Sequence, residues 1–224
     1  MPRLRFAPLL VMLLATVVCT LWWPVVAQAE PTALEVARRI QRFYDGTKTY
    51  QAKFKQTYRI KVQNVKKVST GRVTFAKPGK ISFRYDKPKG NRVVSDGKSI
   101  KIYQPGNQQM VRTKVRQSQY PAVLAFMMGR GKLVRDFKLR LLNAAPMKVA
   151  KGYVLEGVPK DATPAYRKLV MLVDSRTAQV VRVLVLDAQG NRNRFDFSEA
   201  TVNKPVPAKE FRFTPPRGTT ILKP

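Results

Sequence analysis

The strongest constraint on the fold is an alternation of apolar and cationic residues within single segments. In "YQAKFKQTYRIKV", residues 50–62, the even-numbered residues (one parity) are apolar apart from Gln56, and the odd-numbered residues (the other parity) are mostly Lys and Arg. Successive side chains of a β-strand point to opposite faces of the sheet. The segment is therefore predicted to be a strand with one apolar face and one cationic face.

The same period of two recurs along most of the chain that follows. It is seen in "KISFRYDKP", "FKLRLL", "YVLEGV", "YRKLVMLVD", "QVVRVLVLD" and "NRFDF", which are separated by short turn-rich links. Within "VVSDGKSIKIYQP", the dipeptide Asp96-Gly97 is a strong signal for a hairpin turn. About eleven strands joined by tight turns favour an up-and-down antiparallel sheet, which at that size curls into a barrel or partial barrel.

Two segments have helical signals instead. Thr32 and Glu35 fit a capping box, and the apolar residues that follow at three- and four-residue steps predict an amphipathic helix ending near Gly46. The second segment, "YPAVLAFMMGRG", has Pro121 at its start and glycines at its end, which favours a helix over residues 122–128. Its apolar block suits either a core helix that plugs the sheet or a surface that accepts varied apolar shapes.

The composition argues against most enzyme chemistry. The chain has no histidine, and its one cysteine is Cys19, so His-based triads, Cys/His dyads and zinc sites are excluded. Its acidic residues are few and scattered, and no Gly-rich phosphate loop is present. We therefore expect no catalytic residues, no bound metal, no cofactor and no enzymatic activity.

The first 29 residues have the features of a secretory signal peptide. Arg3 and Arg5 precede an apolar stretch that reaches Ala27 and Ala29, an A-x-A cleavage site. The interpretation predicts a mature domain of residues 30–224. An uncleaved membrane anchor or a lipid-modified Cys19 are the alternatives. The net charge of +30 attracts polyanions, but export argues against nucleic acid as the partner.

Four further blocks occur in order along the chain: "FKQ", "GRVTFAKPGKISFRY", "VVSDGKSIKIYQP" and "FRFTPPRG". Together they resemble the LolA family of periplasmic lipoprotein carriers, and the likeness extends over nearly the whole mature chain. The resemblance implies a mainly β fold with a helical lid (α+β), an open, half-closed antiparallel β-barrel of about eleven strands covered by short α-helices. It also implies that acyl chains of lipoproteins bind between lid and sheet.

The resemblance further implies the partners and the site. The partners would be an inner-membrane lipoprotein-releasing transporter and an outer-membrane acceptor similar to LolB, and we also expect transient contact with an anionic membrane surface and a monomeric protein. Lys77 stands where the family has the Arg that holds the lid shut, and Lys101 stands where the family often has an aromatic residue. The implied lipid-binding cavity consists of Leu34, Ile40, Tyr50, Ala52, Phe54, Val73, Phe75, Ile81, Phe83, Leu124, Phe126, Met127 and Met128.

The sequence leaves two other functions open. The same architecture could carry or sense another amphiphile, such as a glycolipid, and the ligand that co-purifies with the protein would distinguish this from a lipoprotein carrier. A basic polyanion-binding envelope protein would show strongly salt-dependent affinity for anionic vesicles without protecting acyl chains. We expect the lipoprotein carrier, located in the periplasm.

Overall fold

The structure is a computed structural model that describes residues 30–115, 126–129, 131–145, 151–163 and 166–222. The predicted signal peptide and its cleavage site lie outside these residues. No helix in the described part of the chain is both long enough and apolar enough to cross a bilayer.

The described residues form one large sheet and two α-helices. Along the chain, helix α1 precedes all the strands, and the short α2 lies between the sixth strand and the seventh. The elements are α1 (Ala33–Gly46), β1 (Thr49–Ile60), β2 (Val65–Ala76), β3 (Lys80–Lys87), β4 (Arg92–Asp96), β5 (Ser99–Gln104), β6 (Gln109–Lys114), α2 (Leu133–Asp136), β7 (Phe137–Leu142), β8 (Gly152–Pro159), β9 (Lys168–Asp174), β10 (Val180–Leu186), β11 (Arg192–Val202) and β12 (Thr220–Leu222).

The twelve strands follow the order β12-β6-β5-β4-β3-β2-β1-β11-β10-β9-β8-β7, with β12 and β7 at the two edges. The sheet is therefore open, as predicted, and the described residues give it one strand more than the expected eleven. All neighbouring pairs are antiparallel except β12 and β6, which are parallel. Strand β1 pairs with both β2 and β11, so it joins the two halves of the chain at the centre of the sheet.

Helix α1 begins with the predicted capping box. The backbone N–H of Glu35 donates to Thr32 Oγ1 at 3.2 Å, and the N–H of Thr32 donates to Glu35 Oε2 at 2.7 Å. These two bonds satisfy donors that an uncapped helix would leave unpaired. The buried face of the helix consists of Val36, Ala37, Ile40 and Tyr44.

The predicted hairpin at Asp96-Gly97 joins β4 to β5. Asp96 Oδ1 accepts hydrogen bonds from the backbone N–H groups of Lys98 and Ser99, both at 2.8 Å. Gly97 has a φ of 96°, a conformation that side chains other than glycine rarely adopt. The turn is thus fixed by the two residues that identified it in the sequence.

The segment between β11 and β12, residues 203–219, is called the C-terminal segment and packs against β3 and β4 on the face of the sheet opposite the one that α1 covers. Arg84 on β3 and Arg92 on β4 lie opposite each other there, a placement that like charges disfavour. Glu210 offsets it, because its carboxylate accepts hydrogen bonds from Arg84 at 2.8 to 3.1 Å and lies 3.9 Å from Arg92. Lys101 Nζ donates to the carbonyl oxygen of Phe213 at 2.7 Å, so this departure from the family pattern also anchors the segment.

Candidate binding cavity

The concave face of the sheet carries a packed apolar cluster beneath α1. Eleven of the predicted cavity residues lie in this one cluster and are at most 6% exposed: Ile40, Tyr50, Ala52, Phe54, Val73, Phe75, Ile81, Phe83, Phe126, Met127 and Met128. Leu34 is instead 40% exposed and lies outside the cluster, since it is set away from the buried stripe of α1. Leu124 lies outside the described residues.

Aromatic rings fill the centre of the cluster. The ring of Tyr44 packs edge-on against Phe126 with centroids 5.5 Å apart, and Phe54 meets Phe83 in the same way at 5.2 Å. The Tyr44 hydroxyl accepts a hydrogen bond from the backbone N–H of Val180 at 3.2 Å. Burial raises the pKa of Tyr44 well above its ordinary value, so this group stays neutral. Tyr44 thereby connects α1 to Phe126 and to β10.

Residues 126–129, the described end of the predicted second helix, form a turn. The backbone N–H of Gly129 donates to the carbonyl oxygen of Phe126 at 3.1 Å. Phe126, Met127 and Met128 are all buried in the cluster, so this turn and α1 together cover the part of the concave face that carries the cluster. The rest of that prediction lies outside the described residues.

The open volume lies beyond the cluster, on the half of the concave face that α1 leaves uncovered. It is a cavity of about 420 Å³, within the usual range for small-molecule sites of ~300–1,000 Å³. None of the predicted cavity residues that the structure describes lines it. Its apolar side chains include Val93, Ile102, Val185 and Phe195, and three of these four belong to the buried cluster.

A row of polar side chains crosses the cavity from β3 to β11. Tyr85 Oη donates to Gln56 Oε1 at 3.0 Å, and Gln56 Nε2 donates to Asn193 Oδ1 at 3.0 Å. Gln56 is the single polar break in the apolar parity of β1, and that break was the one signal in the sequence for this part of the site. A cavity with apolar side chains beside a row of polar ones suits an amphiphile, because the hydrocarbon chain of the ligand needs apolar surroundings and its headgroup needs polar ones.

Lys77 joins the sheet to the C-terminal end of α1. Its Nζ donates to the carbonyl oxygens of Tyr44 at 2.5 Å and Asp45 at 2.9 Å. The stem of the same side chain runs beside Gly129, where a Cβ would lie 2.9 Å from Lys77 Cε. One lysine therefore contacts both segments that cover the cluster, α1 and the 126–129 turn, which together form the cover. Burial lowers the pKa of Lys77, and Asp45 partly offsets that effect.

A second set of contacts ties α1 to α2. Lys132 Nζ lies 2.9 Å from Asp45 Oδ2, and the backbone N–H of Leu133 donates to Gln41 Oε1 at 3.0 Å. Burial raises the pKa of Asp45, but the hydrogen bonds from Lys132 and Gln41 outweigh it and leave the pKa below its ordinary value. No local sequence pattern indicates these contacts, since the partners are 87 and 92 residues apart.

The cavity has few groups that could take part in catalysis. Among the described residues, no three His, Cys, Asp or Glu side chains are grouped to hold a metal ion. Of the described residues that line the cavity, Asp187 is the one with a carboxylate, and it accepts two hydrogen bonds from Asn191 at 2.8 and 2.9 Å within a turn. Fold and cavity define a class of protein in which one face of an open antiparallel sheet carries a packed apolar cluster beneath a helix and an open, partly apolar cavity beside it.

The chain belongs to the LolA family, described as "Outer membrane lipoprotein carrier protein LolA", whose sequence pattern matches residues 45–214. An outer-membrane lipoprotein carrier protein of Nitrosomonas europaea is 27% identical over 214 residues, covering 96% of this chain and 98% of the relative. The protein of the same name from Bordetella avium is 30% identical over 155 residues, covering 69% and 71% of the two chains.

A solved structure shares the fold. It is that of an uncharacterized conserved protein from Thermus thermophilus, with a TM-score of 0.52 and 13% sequence identity. The match covers 86% of this chain and 99% of that one. At this identity the likeness concerns the arrangement of the sheet alone.

Proposed function

We propose that the protein is a periplasmic carrier that holds lipoprotein acyl chains on the concave face and takes them from the inner to the outer membrane. The observation that carries the proposal is the open cavity of about 420 Å³, whose apolar floor is continuous with the buried cluster beneath α1. Membership of a family of lipoprotein carriers supports the choice of cargo.

Burial of hydrocarbon supplies the binding energy. Each CH₂ group removed from water contributes about 0.8 kcal/mol. The cavity accepts the first part of a chain, but the cluster beyond it is already filled by rings and methionines. A longer chain therefore enters only if α1 and the turn at residues 126–129 move away from the sheet. Methionines suit such a rearrangement, because their side chains repack at low cost.

The contacts of Lys77 set the balance between empty and loaded states. They hold α1 and the 126–129 turn in place when the cavity is empty, and cargo must displace them. A carrier that receives cargo from a transporter and delivers it to an acceptor needs such a reversible cover. The inner-membrane releasing transporter and the outer-membrane acceptor are part of this proposal, as is export through the predicted signal peptide.

Native mass spectrometry of the protein recovered after export tests the proposal. We expect a fraction with the mass of the protein plus an acylated lipoprotein, and loss of that fraction in Ile102→Glu, which places a carboxylate in the cavity. Val158→Glu on β8, at a partly exposed valine that does not line the cavity, is the matched control. Recovery of a glycolipid or free phospholipid instead would assign a different amphiphile to the same cavity.

A further inference from the structure

The β1–β2 hairpin extends past its neighbour in the sheet. Strands β1 and β2 pair as far as Ile60 and Val65, whereas β3 pairs with β2 only from Thr70 onward. The turn at residues 61–64 closes the hairpin, with the backbone N–H of Asn64 donating to the Lys61 carbonyl at 3.3 Å. On the other side, β11 pairs with β1 as far as Arg59, so only the turn and the residues that flank it extend past both neighbours, at the end of the sheet opposite α1.

The tip exposes apolar side chains. Val62 is 88% exposed, the highest value for a large apolar residue in the described part of the chain. Val65, which pairs with Ile60, is 37% exposed beside the turn, whereas Val68 is 46% exposed on the opposite face of the hairpin. The alternation of apolar residues in β1 thus continues to Val62, which lies beyond the cavity and is exposed to water. Exposed apolar groups at one place mark contact surfaces in soluble proteins.

Cations surround these valines. Residues 59–68, "RIKVQNVKKV", contain Arg59, Lys61, Lys66 and Lys67 and no acidic residue. Neighbouring turns at the same end of the sheet add Lys87, Lys89 and Arg192, against Asp86 and Asp187. An apolar tip flanked by cationic residues is complementary to the surface of an anionic bilayer, which carries negative charge outside and hydrocarbon beneath.

The tip is held in place next to the mouth of the cavity. The backbone N–H of Lys61 donates to Asn191 Oδ1 at 2.9 Å, and the Lys61 stem packs on Gly190, where a Cβ would lie 2.9 Å away. Tyr58 and Lys67, on the two strands of the hairpin, line the cavity. A surface that contacts the tip therefore lies beside the cavity opening.

We propose that the tip of the β1–β2 hairpin, residues 59–68, docks the protein on anionic phospholipid surfaces. Val62 enters the interface between headgroups and acyl chains, and Lys61 and Lys66 bind the phosphates. This inference goes beyond the carrier function, since docking requires no cargo in the cavity. It specifies which part of the protein meets the membrane and places the cavity mouth where acyl chains are found.

Flotation with lipid vesicles tests the docking. The exported protein, with its N-terminus determined, is mixed at low salt with vesicles of 70% phosphatidylcholine and 30% phosphatidylglycerol, or of phosphatidylcholine alone. We expect flotation with the anionic vesicles only, and its loss as salt screens the charges. Val62→Glu and the double variant Lys61→Gln/Lys66→Gln should each lower the vesicle affinity by roughly tenfold or more.

Val158→Glu, a charge introduced at an exposed valine on β8, is the control and should float like the parent protein. Binding of a fluorescent fatty acid should be unchanged in the Val62 and Lys61/Lys66 variants, because none of these residues lines the cavity. Docking and cargo binding are thereby measured separately. The proposal is overturned if the parent protein does not float with anionic vesicles, or if Val62→Glu floats as well as Val158→Glu.

Discussion

Lys77 Nζ lies 2.5 Å from the carbonyl oxygen of Tyr44, in the last turn of α1. That turn has no basic residue of its own, so a lysine 33 positions away supplies the positive charge that the end of a helix favours. The same side chain contacts Gly129 in the second covering segment. The residue following β2 therefore connects the sheet to both parts of the cover.

Removing the charge of Lys77 should loosen the cover. Lys77→Met keeps the apolar stem beside Gly129 but loses both hydrogen bonds to α1, which lowers the free energy of unfolding of the empty protein by about 1–3 kcal/mol. Because an open cover is then easier to reach, a fluorescent fatty acid should bind several-fold more tightly. Thermal melting without ligand and probe titration measure the two effects.

Lys77→Arg is the paired variant. Its guanidinium keeps the charge and offers more donors to the same carbonyls, so the empty protein should gain about 0.5–1.5 kcal/mol of stability while probe affinity falls several-fold. If stability and affinity rise together in this variant, or if neither variant differs from the parent, Lys77 does not control the cover.

Two glutamate substitutions distinguish the packed cluster from the open cavity. Ile81 is fully buried, so Ile81→Glu places an unpaired carboxylate among apolar groups and should lower stability by several kcal/mol. Ile102 is half-buried and lines the cavity, where water reaches the new charge, so Ile102→Glu should stay folded and lose probe binding. Urea unfolding and probe titration check both. Equal stability of the two variants would contradict this division of the concave face.

The anchor of the C-terminal segment should depend on pH. Burial raises the pKa of Glu210, but hydrogen bonds from Arg84 and Ser82 and the charge of Arg92 outweigh it, so the pKa in the folded protein lies below its ordinary value. The stability that this carboxylate contributes is present above the unfolded pKa of about 4.3 and is lost as pH falls through the folded pKa. Stability should therefore decline less between about pH 5 and pH 3 in Glu210→Gln than in the parent.

Urea midpoints of both proteins at several pH values measure the difference. At pH 7 the variant should be less stable by about 1–3 kcal/mol, because Arg84 and Arg92 then face each other without a carboxylate between them. Parallel stability profiles for the two proteins would show that Glu210 does not contribute in this way.

Sequencing the N-terminus of the exported protein tests whether the predicted signal peptide is cleaved. The small residues Ala27 and Ala29 predict cleavage before Glu30. Retention of Met1, or a lipid on Cys19, would mean that the chain stays attached to a membrane and does not move between two of them.

Local sequence patterns predicted the elements well. Alternation over residues 50–62 identified β1 and its apolar face, and Asp96-Gly97 located a hairpin, since both depend on neighbouring residues only. Strand β12 was not recognised, because it has three residues and its parallel pairing follows from the path of the C-terminal segment across the sheet. That path is fixed by contacts such as Arg84 to Glu210, 126 residues apart.

The predicted site residues and the open cavity lie at different places on the sheet. Parity indicates which side chains share the concave face, but it does not show how far α1 extends along that face. The predicted residues that the structure describes, apart from Leu34, lie in the covered half, while the open cavity lies further along the sheet, at Gln56, Tyr85 and Ile102. Parity also does not show that Val62 lies beyond the end of its strand and is exposed to water.

Photo-cross-linking in living cells tests the central claim most directly. A benzophenone amino acid replaces Tyr58, which lines the cavity, and in a matched protein it replaces Lys55, which lies on the opposite face of the same strand. After irradiation, we expect adducts between position 58 and acylated lipoproteins, with few or none from position 55. Equal adducts from both positions, or adducts at position 58 that contain no lipoprotein, would contradict it.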